Sequence, residues 1–256
     1  MITRKELQDF ARLKRLNLGN AEKDYLLDIA LFSISRQTKN EMVFKGGTCL
    51  YKFHKLSRFS EDLDFSAVKE IDISGIADSI IAGLKNFGIN SSLHEKKEPH
   101  NSVLMSLRVE GPLFTGSPYS YAKIGIDINK KSEVILPPET LSYEPAYPEV
   151  PQVNAFCMNT KEIFSEKIRA LMTRRRARDL FDLYFMLQRD IFADKGLINK
   201  KMDYYNDKFD LNRLIARINE LSALWKKELL GLVGDLPDFK RVERETAEKL
   251  KKIYPD

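Results

Sequence analysis

The spacing of apolar residues changes along the chain, and this change narrows the fold more than any other feature. EDLDFS (61–66) alternates strictly, as a half-buried strand does, and SVLMSLRVE (102–110) and YAKIGIDIN (121–129) read as strands too. MVF (42–44) is a short apolar run ending at Gly46-Gly47, and TCLYKFHKL after it reads as a short helix. Residues 4–16, 20–37 and 73–88 carry apolar side chains at helical spacing, with Asn20 placed to cap the second helix. From Thr160 onward the pattern is helical: 161–173, 178–189, 211–229 and 239–253. The stretch 135–152 holds five prolines and reads as loop or edge structure. Together these predict an α+β chain. Residues 1–158 form N-terminal helices plus a mixed α/β core, and 159–256 form a helical domain.

Composition removes other classes. With 43% hydrophobic and 31% charged residues, the chain is globular rather than disordered or fibrous. The longest apolar runs, such as LLDIALFSI, contain an Asp and fall short of the ~20 residues that span a bilayer. MITRKELQDF lacks the apolar core of a leader, so the expectation is a cytoplasmic protein with no membrane partner. Cys49 and Cys157 are too few for a disulfide framework or a zinc site. Lys and Arg exceed Asp and Glu by 42 − 37 = 5, and residues 161–189 alone carry eight basic side chains against four acidic ones. Arg174, Arg175, Arg176 and Arg178 form the densest part of that run. They suit either a solvated face or a stripe that grips phosphates.

The carboxylates are more informative. Strand alternation puts Asp62, Asp64 and Ser66 on one face and Leu63 and Phe65 on the other. Two such carboxylates repel unless a cation lies between them, and Mg²⁺ is held by a pair of this kind together with substrate phosphates. A solvent-facing strand carries the same pattern without any metal. In 122–129 the polar face holds Lys123, Gly125, Asp127 and Asn129, so Asp127 could be a third converging carboxylate or an ordinary edge residue. Gly46-Gly47 lies at a strand-to-helix junction, where backbone N–H groups can approach phosphate oxygens, although a tight turn also explains the pair. Walker spacing is absent.

Further along, Lys167 flanks the apolar stripe Phe164, Ile168, Leu171 and Met172, where a lysine either has a partner or snorkels. Asp179 and Asp182 lie on the less apolar side of their helix, and Asp182 is four residues from Arg178, a spacing that suits an ion pair. Tyr204 and Tyr205 stand among Lys200, Lys201 and Lys208 and could stack bases. Cys49 has no paired histidine and reads as a small buried residue.

F-K-G-G-T-x-L (44–50) followed by R-F-S-E-D-L-D-F (58–65) resembles the AbiEii/AbiGii family of nucleotidyltransferase-like toxins, within the DNA polymerase β-type superfamily. The likeness continues through E-K-I-R-A-L (166–171) and R-A-R-D-L-F-D-L (176–183), so it spans roughly 40–190. The fourteen residues between Gly47 and Asp62 are a long gap for the wider superfamily. The resemblance implies a polymerase β-like mixed-sheet core with a C-terminal helical domain. It implies that Gly46, Gly47 and Thr48 meet the nucleotide's phosphates, with Arg58 and Ser60 nearby. Asp62, Asp64 and Asp127 would hold two Mg²⁺ ions, and Lys167 would bind the triphosphate. Asp179 and Asp182 match the R-D-x-x-D element, assigned to nucleotide binding. The implied activity is nucleotide transfer from NTP to an RNA, the tRNA 3′ end, which stops translation, with a cognate antitoxin as partner. The arginine stripe would steer the RNA. Two other readings stay open: a catalytically silent nucleic-acid- or protein-binding module of the same fold, and transfer to a small molecule or protein hydroxyl.

Overall fold

The computed structural model describes residues 1–130 and 133–255. They form two compact units, one of residues 1–55, 59–134 and 138–158, the other of 56–58, 135–137 and 159–256.

In the first unit, α1 (Arg4–Lys14) starts at Thr3, which forms a reciprocal capping box with Glu6. Helix α2 (Leu18–Gln37) is capped by Asn17, not Asn20; the Asn17 side chain instead accepts the N–H of Asn20. Then follow β1 (Met42–Lys45), α3 (Gly46–His54), β2 (Asp62–Ala67), α4 (Ile73–Asn86), β3 (Ser91–Lys97), β4 (Ser102–Val109), β5 (Ala122–Asn129), β6 (Glu139–Tyr143) and β7 (Val153–Cys157). The seven strands make one sheet in the order β3-β4-β5-β2-β1-β7-β6. It is mixed: β2 pairs parallel with β5 and β1 parallel with β7, while β1–β2, β3–β4, β4–β5 and β6–β7 are antiparallel. Helix α2 packs on α4 and on β2, β5 and β7. Leu63, Phe65, Ile124, Ile126 and Ile128 are all buried. β6 is an edge strand, as the proline-rich stretch suggested, and the other edge, β3, is almost wholly exposed.

A buried ionic cluster fixes α3 to α2. Lys52 of α3 lies 2.5 Å from Asp24 Oδ1 and 2.7 Å from Asp28 Oδ1, both on α2. Lys14 and the Tyr147 hydroxyl reach the other oxygen of Asp24. Burial pushes the Asp28 carboxyl up to about 6, against the pull of Lys52. Removing one partner from such a cluster costs about 3–5 kcal/mol. The anchor holds the helix whose first residues are Gly46 and Gly47.

The second unit contains α5 (Thr160–Thr173), α6 (Ala177–Leu187), α7 (Lys195–Asp203), α8 (Leu211–Asn219), α9 (Ser222–Leu229) and α10 (Phe239–Ile253). Asn159, Asp194, Asp210 and Asp238 cap four of these with side-chain oxygens. The single helix expected over 211–229 is two. Glu220 and Leu221 have ψ near zero and Leu221 N–H bonds to Ile218 O, a tighter turn that re-aims the chain. Trp225, buried in this core, packs edge-on to Phe239 and donates to Pro237 O at 2.9 Å.

Candidate active site

Strand β1 ends at Lys45, which is the residue before α3 and whose own side chain makes no capping bond to that helix. Gly46 turns the chain with φ +74°, a conformation that costs a residue with a Cβ about 1–2 kcal/mol. A Cβ at Gly46 would also stand 2.4 Å from Asp64 Oδ2. Thr48 is fully buried, and its hydroxyl donates to the carbonyl of Asp62, tying the start of β2 to the first turn of α3.

The parallel pairing of β2 and β5 sets Asp64 opposite Asp127 and Asp62 opposite Gly125. Adjacent strands lie roughly 4.8 Å apart, and partnered side chains project to the same face, so Asp62, Asp64 and Asp127 share one face. A Cβ at Gly125 would lie 2.5 Å from Asp62 Oδ1. Both carboxylates of the D-x-D pair therefore occupy space that a glycine leaves open. Asp62 has a half-exposed side chain with Lys23 Nζ at 4.0 Å. On the other side of Asp64, the antiparallel register places Lys45, a buried lysine, as its direct partner. Ser60 is buried just before β2.

This donor set is all oxygen, which suits a hard divalent cation. Among the described residues no three His, Cys, Asp or Glu side chains form a cage sufficient for a metal by themselves. Mg²⁺ takes one or two carboxylates and completes its shell with water and substrate phosphates, so the open glycine-lined face fits it. Cys49 and Cys157 are buried free thiols, and burial pushes the Cys49 thiol up, which disfavours a thiolate.

Lys167, Asp179 and Asp182 meet in the second unit. Lys167 Nζ lies 2.9 Å from Asp179 Oδ1 and 2.7 Å from Asp182 Oδ2. Arg58 grips Asp182 with two bonds of 2.6 and 2.8 Å, and Arg174 does the same to Asp179 at 2.9 and 3.2 Å. Charges thus alternate along Arg58–Asp182–Lys167–Asp179–Arg174. Burial would lower Lys167, but Asp182 and Asp179 raise it above its ordinary value. Burial would likewise raise Asp179, yet Lys167 and Arg174 hold it well below the carboxylate range. The lysine on the flank of an apolar stripe is buried because it has two anionic partners. In the arginine stripe, Arg174 serves Asp179 and Arg175 pairs with Glu220 at 2.8 Å; Arg176 is exposed and Arg178 half-buried.

Sequence reasoning passed over Lys45 and Gly125. A glycine inside a strand pattern signals close approach of another group, and Gly125 carries that signal in IGID. Lys45 stands within F-K-G-G-T, but only the register reveals its place beside Asp64.

The family model described as nucleotidyl transferase AbiEii toxin, type IV toxin–antitoxin system, matches residues 29–251. No curated protein matches the sequence. Among solved structures, the chain is similar to the MenT4 nucleotidyltransferase toxin of Mycobacterium tuberculosis, with TM-score 0.71, 19% identity, and 100% of this chain and 92% of that one covered. It is also similar to JHP933 from Helicobacter pylori, with TM-score 0.65, 21% identity and 93% of each chain covered. A nucleotidyltransferase structure from H. pylori, titled putative, gives TM-score 0.59 and 21% identity over 90% of this chain and 92% of that one. At these identities the structures speak for the fold.

Proposed function

The chain belongs to the AbiEii nucleotidyl transferase toxins of type IV toxin–antitoxin systems, and from that premise we propose that it transfers a nucleotide from NTP to an RNA 3′ hydroxyl, that of tRNA. The observation that carries the reading is the register of Asp64 on Asp127, with Asp62 and Asp64 each set against a bare glycine.

In this reading the N–H groups of Gly46 and Gly47 at the start of α3 donate to phosphate oxygens of the NTP. Asp62, Asp64 and Asp127 are the residues that would hold Mg²⁺, which when bound supplies Lewis-acid polarisation of the α-phosphate and neutralises the departing charge. Asp127 accepts the proton of the acceptor hydroxyl. The hydroxyl oxygen bonds to the α-phosphorus, the bond from that phosphorus to the bridging oxygen breaks, and pyrophosphate leaves. Thr48 keeps Asp62 placed through its backbone. Arg58, Lys167 and Arg174 are the cations that would meet phosphate oxygens in their unit. The excess of basic residues favours a nucleic-acid acceptor. An antitoxin is the expected partner. Among the described residues no helix is long and apolar enough to cross a membrane.

Calorimetric titration with a non-hydrolysable NTP tests the reading. Binding should require a divalent cation and disappear in Asp62→Asn/Asp64→Asn. Cation-independent binding that survives in the double variant would refute it.

A further inference from the structure

The second unit contains a cavity of about 850 Å³ that none of the candidate-site carboxylates lines. Its apolar wall comes from Ile135, Leu136, Phe192, Leu197 and Ile253, and among the described residues three lysines, Lys161, Lys195 and Lys200, line it against one carboxylate, Asp194. That volume is within the range of pockets that enclose a small molecule or one residue of a polymer.

The walls are pinned by buried polar contacts. Glu162, fully buried, accepts the N–H groups of Ile135 at 2.9 Å and Leu136 at 2.8 Å, and pairs with Lys201 at 2.5 Å. The Tyr254 hydroxyl donates to Ala193 O at 2.5 Å, closing the opposite side. Asp194 is occupied in capping α7, where it accepts the Leu197 N–H at 2.8 Å. The three lysines are exposed, and so is the Phe192 ring, which is 41% accessible. Helix α7 repeats the combination at its far end, where exposed Tyr204 and Tyr205 follow Lys200 and the Arg169 guanidinium lies 5.3 Å from the Tyr205 ring.

We infer that this pocket seats one nucleotide of the single-stranded acceptor RNA, its base on the Phe192 wall and its flanking phosphates on Lys161, Lys195 and Lys200. Exposed aromatic rings before and after α7, with lysines on the helix between them, suit a strand, because each base brings a stacking face and each link a charge. A protein anchor would need the apolar pocket alone, without the second cation–aromatic set. Lysines spread over α5 and α7 also suit successive phosphates better than one compact triphosphate. The inference rests on RNA being the acceptor, not on the chemistry at Asp62 and Asp64.

The test is fluorescence anisotropy of the full chain with a short fluorescein-labelled single-stranded RNA, in EDTA and without NTP, over a salt series. The triple variant Lys161→Gln/Lys195→Gln/Lys200→Gln should weaken binding more than tenfold and reduce the slope of log K against log salt by roughly 2, at about 0.7 per phosphate contact. Phe192→Ala should weaken binding about tenfold and leave the slope unchanged. All four side chains are exposed, so the variants should melt like the parent. Asp62→Asn/Asp64→Asn should bind RNA normally while losing transfer, which separates failure of this site from failure of the catalytic reading. Unchanged affinity and slope in the triple variant would overturn the inference. So would displacement of the RNA by an acidic, Phe-containing peptide at lower concentration than unlabelled RNA requires, which would reassign the pocket to a protein partner.

Discussion

Gly125→Ala separates the geometry of the candidate site from the stability of the fold. Gly125 is in the middle of β5 with a backbone conformation open to any residue, so alanine brings no backbone strain there. In a strand interior alanine is favoured over glycine by about 0.5–1 kcal/mol. The added Cβ, however, would lie 2.5 Å from Asp62 Oδ1, whereas ordinary contact begins at 3.4 Å. The half-exposed carboxylate must retreat by the difference, about 0.9 Å, and a misplacement near 1 Å costs roughly 100-fold in rate. Stability should therefore stay within about 1 kcal/mol of the parent, a melting shift of no more than roughly 4 °C. Transfer of label from α-³²P-NTP should fall about 100-fold, or roughly 2.7 kcal/mol in the barrier. Gly46→Ala supplies the contrast. It meets Asp64 in the same way, but its φ of +74° adds about 1–2 kcal/mol of strain, so both activity and melting temperature should drop. Differential scanning fluorimetry and label transfer on the two variants read both quantities. A Gly125→Ala protein that transfers label within twofold of the parent would refute the placement of Asp62 at the reacting centre.

Lys167→Met leaves two buried carboxylates without the cation between them and should cost about 3–5 kcal/mol, lowering the melting temperature by roughly 10 °C. A shift below 3 °C would show that Arg58 and Arg174 satisfy both aspartates alone. For Asp28, the folded carboxyl titrates near 6 and the ordinary value is 3.8. Between these pH values the folded chain holds a proton that the unfolded chain has lost, so this group's contribution falls as pH rises through the window and is level above it. The span corresponds to a decline on the order of 3 kcal/mol, and Asp28→Asn should remove it. Urea unfolding of both proteins at several pH values between 4 and 7 checks this, and parallel stability profiles would contradict it.

Much of the fold is legible where burial is one-sided. β2 and β5 show in the sequence because Leu63, Phe65, Ile124, Ile126 and Ile128 alternate with polar residues, and that alternation also exposes the aspartates. β3 does not show, because SSLHEKK is an exposed edge strand with no apolar face to pattern. Helix α7 is short and buries only Leu197, Ile198 and Met202 among its apolar positions, too few for a clear period. The break at Glu220–Leu221 keeps near-helical dihedrals, so the apolar spacing runs through it uninterrupted.

What local pattern cannot supply is pairing across distance. The register of Asp64 on Asp127 joins strands far apart in the chain, and Arg58 reaches Asp182 across a separation of 124 residues. Neither partner carries a mark of the other. The place of Lys45 beside Asp64 belongs to the same category.

The most direct measurement is label transfer by the purified protein with total tRNA, Mg²⁺ and each α-³²P-NTP in turn, alongside Asp62→Asn/Asp64→Asn confirmed as folded by circular dichroism. The expected result is a labelled tRNA band with at least one NTP and no band from the double variant. A labelled band of equal strength from the double variant would contradict the assignment of the carboxylates, and the absence of a band with every NTP would contradict tRNA as the acceptor.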